Sequence, residues 1–307
     1  MIQTNRTTWK NVRRHRQLYL LLLLPLSYLI LFHYVPMYGV TLAFRNYDIS
    51  LGILHSKWVG LENFFRFFSS YMLARVLKNT LVISLYSILA GFPLPIIFAL
   101  ALNLMRNQKY KKFVQVVTYA PHFISTTVIV GMMMALLNCH SSMYATIYKA
   151  LVGTFPNDVF GSDTAFPHLY VLSGVWQNLG WDAIIYVAAL SGVSLELHEA
   201  AEIDGASRFQ RVIHIDLVAI LPTASILLIM NSGNILSVGF EKVYLLQNDI
   251  NLRASETIAT YVYKVGLTGS MDFSYSTAIG FFNSVVNMGL LVIVNSITGR
   301  LSQTSLF

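Results

Sequence analysis

Six apolar segments, each long enough to cross a bilayer, set what this chain can fold into. They run roughly over residues 18–43, 76–104, 113–138, 167–192, 212–239 and 275–298. A hydrocarbon core about 30 Å thick takes about 20 residues of helix. Backbone polar groups in lipid must be satisfied within their own segment, so each of the six is predicted to be helical. Composition agrees: of 307 residues, 55% are hydrophobic and 11% are charged, against roughly 25% charged in soluble domains. The expected fold class is an all-α integral membrane protein with six transmembrane helices. Pro25, Pro36, Pro93, Pro95, Pro121 and Pro222 fall in or near these segments. They predict kinks rather than breaks, because neighbouring helices can re-satisfy the freed carbonyls.

A net charge of +7 would suggest nucleic acid in a soluble chain. Here the cations sit mainly in short links between apolar runs, which reads as membrane orientation. Arg6, Lys10, Arg13, Arg14 and Arg16 lead into the first segment, and Arg106, Lys109, Lys111 and Lys112 crowd residues 105–112. Arg208 and Arg211 follow the fourth segment and Arg300 the sixth. The opposite links, 44–75, 139–166 and 240–274, are longer and carry fewer cations. Both termini are therefore expected in the cytoplasm. A basic stretch before leucines could be a signal peptide, but the run from Leu18 to Phe44 is long enough to span and no small-x-small cleavage site stands out. The organisation predicted is a basic cytoplasmic N-terminus over 1–17 and one six-span domain over 18–307. The lone cysteine, Cys139, excludes an intrachain disulfide. Trp58 and the aromatic run Phe64, Phe65, Phe67 and Phe68 fit an interfacial segment leading into the second span.

Between the fourth and fifth spans lies a charged, helix-prone stretch, about 194–211, on the predicted cytoplasmic side. Glu, Ala, Leu, Gln and Arg favour helix. Ser194 can cap its start, and Glu196 and Glu199 suit the positive end of the helix dipole. Gly205 interrupts it, because glycine permits a sharp backbone change. Two short helical pieces are expected, presenting Ala200, Ala201 and Ala206 flanked by carboxylates. Small residues let a partner come close, and the carboxylates orient it.

Glu199-Ala200-Ala201, then Gly205, then Ile215, Leu221 and Pro222, resembles the EAA loop of ABC importer permeases, and it falls after the fourth of six spans as that family requires. The resemblance extends over nearly the whole chain. His33-Tyr-Val-Pro36-Met-Tyr-Gly39, Ala120-Pro-His-Phe-Ile-Ser125, Val238-Gly-Phe-Glu-Lys242, Glu256-Thr-Ile-Ala-Thr-Tyr261 and Ser274-Tyr-Ser-Thr-Ala278 look like the complex-carbohydrate import group. Val218 departs from it where relatives often carry proline, which bears on a kink at the start of span five. The resemblance implies a type I importer permease fold with a cytoplasmic coupling helix in a bacterial cytoplasmic membrane. It implies that Glu199, Ala200, Ala201, Asp204 and Gly205 form the docking surface for an ATPase, and that Leu221 and Pro222 shape the exit into span five. The implied partners are a second homologous permease, two ATP-binding subunits, an extracytoplasmic solute-binding protein and membrane lipid, with no nucleic acid. No phosphate-cradling Gly-x-x-x-x-Gly-Lys-Ser/Thr loop is present. This chain is therefore expected to bind no cofactor, to be no enzyme itself, and to leave ATP and magnesium to the partner ATPase.

Other constellations carry weaker chemistry. His198-Glu199-Ala-Ala-Glu202 is one residue from a zinc-protease pattern but lacks the second imidazole and a third ligand, so no metal is expected. Asp182 sits near the middle of the fourth span, where a carboxylate costs about 2.5–3.5 kcal/mol on insertion scales and must face protein or water. With Trp176, Gln177, Asn178 and Trp181 beside it, a sugar path is one expectation; an interhelical polar clamp is the other. Asn231, Asn234, Asn283 and Asn287 add amides on spans five and six, either as glue between helices or as pore lining. A secondary carrier or channel for a polar solute working through Asp182 is the alternative to the importer reading.

Overall fold

The computed structural model describes residues 15–302, with side chains described as far as residue 299. Arg6, Lys10, Arg13 and Arg14 and the side chain of Arg300 lie outside the described residues. Four helical stretches are each long and apolar enough to cross a membrane: Arg16–Phe44, Tyr71–Leu104, Arg208–Ser232 and Phe273–Gly299. Two bent pairs, Gln108–Phe123 with Thr126–Leu137 and Ala165–Leu190 with Leu195–Ile203, bring the number to six if each pair is one span. We number the spans one to six in chain order, span four being Ala165–Leu190. Among the described residues the architecture is helical apart from a two-residue antiparallel ladder in the link between spans one and two, pairing Arg45 with Trp58 and Asn46 with Lys57.

The prolines act unequally. Span one absorbs Pro25 and Pro36 by passing through a π turn over Ile30–Tyr34 and a 3-10 turn over Tyr38–Phe44. Span two passes from one helix to the next at Phe92, where Pro93 and Pro95 open a new first turn, the place in a helix that tolerates a missing N–H. Span three differs from expectation. It is broken, not kinked, turning by 101°. Pro121 lies in a short 3-10 turn, Ile124 is extended, and Ser125 starts the next helix by accepting from the N–H of Val128 at 3.4 Å. The break persists in apolar surroundings because span four satisfies it: Gln177 Nε2 donates to the Ile124 carbonyl at 3.0 Å. Span five also stops short of residue 239, at Ser232. Its following turn is held by Asn287 of span six, which accepts from the Leu236 N–H and donates to Ser237 Oγ, each at 2.9 Å.

Two apolar clusters fix the frame around the site. Ala99, Ala183, Tyr186, Leu190, Ile220 and Ala224 join spans two, four and five. Phe67, Met72, Val76, Leu236, Ile258, Tyr275 and Ile279 join span two, span six and the links before span two and after span five. The aromatic run thus forms a helix, Glu62–Phe68, whose Phe67 is core while Phe65 and Phe68 stay exposed. The link between spans five and six is packed onto span two as a folded piece. Asn79 Nδ2 donates to the carbonyls of Arg253 and Glu256 at 3.0 and 2.9 Å, and the Ile258 N–H donates to Thr80 Oγ1 at 3.0 Å. The Glu256 carboxylate is buried with Lys264 at 3.2 Å and Arg75 at 3.8 Å, the pairing that a buried charge requires.

Candidate functional site

The stretch after span four folds as two helical pieces. The first, Leu195–Ile203, leaves span four through a 73° bend. Ser194 caps it, its Oγ accepting from the Glu196 N–H at 3.2 Å. Gly205 then takes a φ of 81°, the left-handed region that favours glycine. Ser207 and Gln210 form a reciprocal capping box that starts the second piece, Arg208–Arg211. This piece runs through a π turn, Val212–Asp216, into the rest of span five.

Glu199, Ala200, Asp204 and Gly205 are exposed, and Ala201 is half-buried. They form one side of a ledge whose other side is tied down: Arg211 Nη1 meets Glu202 Oε2 at 2.8 Å and His198 Nε2 meets Asp216 Oδ1 at 3.2 Å. Ile203 at 87% and Phe209 at 72% exposure add two large apolar side chains to the free surface. Neither stood out in the sequence. Leu221 and Pro222 sit inside the helix Leu217–Ser232, past the π turn. The π turn over residues 212–216 stands between the segment and this pair. His198 and Glu202 turn to different partners, and among the described residues no group of three His, Cys, Asp or Glu side chains is placed to hold a metal.

Asp182 opens into three adjoining hollows of about 250, 270 and 280 Å³. Asn231 borders two of them and Trp181 one. Gln177 and Asn178 border the third, but their polar groups are already engaged. Gln177 holds Ile124, while Asn178 Oδ1 meets His122 Nδ1 at 2.9 Å and its Nδ2 donates to the Gly174 carbonyl at 3.0 Å. Trp181 stacks flat on His122, ring centres 4.3 Å apart. Trp176 is separated from this group. It faces an apolar groove of about 530 Å³ with Met132, Met133 and Leu172. Asn283 is also apart from the hollows, its Oδ1 buried without a hydrogen-bond partner, and Asn287 is the turn clamp already described.

Tyr170 and Lys242 border the hollows although neither had a role on sequence grounds. Lys242, from the link between spans five and six, is buried and donates from Nζ to the Tyr170 carbonyl at 2.9 Å. Desolvation pulls its ammonium down to about 8. The group is thus charged below about pH 8 and neutral above it. Its desolvation cost weighs on the fold below that pH and fades as pH rises towards the ordinary lysine value. A carboxylate, an ammonium, amides and an indole distributed over these three adjoining hollows can bind hydroxyls and present a flat apolar face to a ring.

Residues 91–303 match the family described as "Binding-protein-dependent transport system inner membrane component". The chain belongs to this family. It is 39% identical to "Protein LplB" of Bacillus subtilis (strain 168), over 96% of this chain and 92% of that protein. It is also 39% identical to the "Polygalacturonan/rhamnogalacturonan transport system permease protein YteP" of the same organism, over 96% and 91%. A solved bacterial ABC transporter involved in the import of the acidic polysaccharide alginate matches with a TM-score of 0.88 and 33% identity, covering 96% of this chain and 99% of that one. A second structure of a bacterial alginate transporter, in complex with an alginate pentasaccharide-bound periplasmic protein, matches with a TM-score of 0.89. This permease therefore has the fold of an ABC importer permease, and it is a multi-pass membrane protein.

Proposed function

We propose that this permease is one of two membrane subunits of an ATP-driven importer of oligosaccharides or polysaccharide fragments. A second homologous permease completes the pore, two separate ATP-binding subunits supply the work, and an extracytoplasmic solute-binding protein delivers the cargo. Both termini face the cytoplasm, and Glu199, Ala200, Ala201, Asp204 and Gly205 form the ATPase docking surface. The observation that carries this reading is the exposed two-piece ledge between spans four and five, in a chain of this family. Closure of the ATPases moves that ledge, and the attached spans tilt between inward-open and outward-open states. The carbohydrate class is supported by the names of relatives, which include the permease YteP and an arabinooligosaccharide permease, AraP.

Uptake of a panel of labelled oligosaccharides, in cells with and without this chain, tests the proposal. ATP-dependent uptake of at least one sugar should vanish with the chain. With that sugar, Asp182→Asn should lower uptake about tenfold or more, the effect of one lost charge-assisted hydrogen bond. Unchanged kinetics with every sugar would remove Asp182 from the path. Movement of sugar through the purified chain alone, without nucleotide, would replace the importer reading with that of a secondary carrier.

A further inference from the structure

We propose that Asp216 and His198 form the pin through which motion of the coupling ledge reaches span five, with His198 as the positioning residue; this rests on the importer reading above. The helix Leu195–Ile203 has a pivot at each end: the 73° bend at residues 191–194 and the left-handed turn at Gly205. A hollow of about 510 Å³, bordered by Leu195, Arg106 and Arg208 among others, lies under it. Its described side-chain ties to span five are therefore what can make the two move together.

These ties are unequal. The Glu202–Arg211 pair involves a carboxylate that is 71% exposed, and solvent and salt weaken such a pair. The His198–Asp216 pair is sheltered, with side-chain exposures of 23% and 3%. Asp216 closes the π turn, whose extra residue rotates the remainder of span five by about 100° relative to a regular helix. π turns are frequent at functional positions. Asn103, at the inner end of span two, also points its Nδ2 at Asp216 Oδ1, but at 3.4 Å, near the limit for such a bond. Three elements meet at one buried oxygen, the ledge through His198 at 3.2 Å and span two through Asn103 at 3.4 Å. When the ledge is pulled, the His198 contact draws Asp216 with it.

Stability alone does not account for a carboxylate here. A buried polar pair adds little stability over a packed apolar side chain, and its best-attested use is to fix register or a switch. The register fixed here is that of the ledge against span five.

The test uses the full importer reconstituted in vesicles, with ATPase co-purification and ATP hydrolysed per sugar imported as readouts. His198→Ala should keep the ATPase bound and hydrolysing, while ATP spent per sugar rises at least about tenfold. His198→Gln, which keeps an N–H donor, should restore most of the coupling, and so should the exchange His198→Asp with Asp216→His. An unchanged ratio in His198→Ala overturns the pin. So does a loss of assembly in His198→Ala that neither rescue repairs, since the pair would then be only structural. If the unaltered importer moves sugar without hydrolysing ATP, the parent reading fails instead, whatever the variants do.

Discussion

Gly205→Pro is expected to abolish sugar uptake while the protein still inserts in the membrane. Gly205 holds a φ of 81°, and proline locks φ near −65°. Proline also removes the N–H that donates to the Glu202 carbonyl at 3.1 Å. A proline misplaced in this way costs about 3 kcal/mol or more, which is about a hundredfold in any equilibrium that needs the native turn. Nothing stands within 4 Å of a Cβ built at this position, so Gly205→Ala suffers only the left-handed backbone penalty, about 1–2 kcal/mol. Uptake should therefore fall in the order glycine, alanine, proline, with ATPase association falling in step. Glu199→Lys, on the exposed side of the same ledge, should lose association without disturbing the turn. Equal uptake for all three variants and the unaltered protein would show that this turn carries no coupling.

Gly180→Ala should destabilise the permease more than any other single methyl addition to a glycine in span three or four. A Cβ at Gly180 would stand 2.6 Å from the carbonyl carbon of Thr118 and 2.7 Å from Tyr119 Cδ1, besides meeting the Thr118 oxygen. The obstacle is mainly backbone, which cannot swing aside as a side chain can. Overpacking of this kind costs about 1–3 kcal/mol. It would push span four off the stretch that leads into the break, beside the His122–Trp181 stack and the Asn178 bond. Gly131→Ala, with no atom within 4 Å of its Cβ, is the matched control. Thermal unfolding in detergent should show a lowered midpoint for Gly180→Ala alone, together with reduced uptake. Matching midpoints for the two variants would contradict the packing described.

The six spans were legible because apolar length is a local property. The coupling ledge was legible for the same reason, since Ser194, the early glutamates and Gly205 act within a few residues of one another. The break in span three was not legible, because what sustains it is Gln177, 53 positions from Ile124. Trp176 was misgrouped with Trp181 and Asp182 by nearness in sequence. At about 100° per residue, five residues place the two indoles some 140° apart around span four, so one faces the hollows and the other the apolar groove. Asn283 and Asn287 stand four apart on one helix, but Asn287 is spent on the turn after span five, which apolar length alone had assigned to the span itself. Asp216 did carry a signal: a lone carboxylate within Val212-Ile-His-Ile-Asp-Leu-Val218 in a membrane helix is a functional candidate on its own. Lys242 was noticed only as part of a family pattern, because its burial comes from Tyr170, 72 positions away.

The central claim is that the ledge between spans four and five lies in the cytoplasm and is covered by an ATP-hydrolysing subunit. Thiol labelling tests it directly, in a chain carrying Ala200→Cys with Cys139→Ser and using a membrane-impermeant reagent. The expected result is no labelling from outside intact cells, strong labelling in inverted vesicles that lack the ATPase, and protection when the ATPase is present. Labelling from the outside, or labelling in inverted vesicles that the ATPase does not reduce, would contradict it.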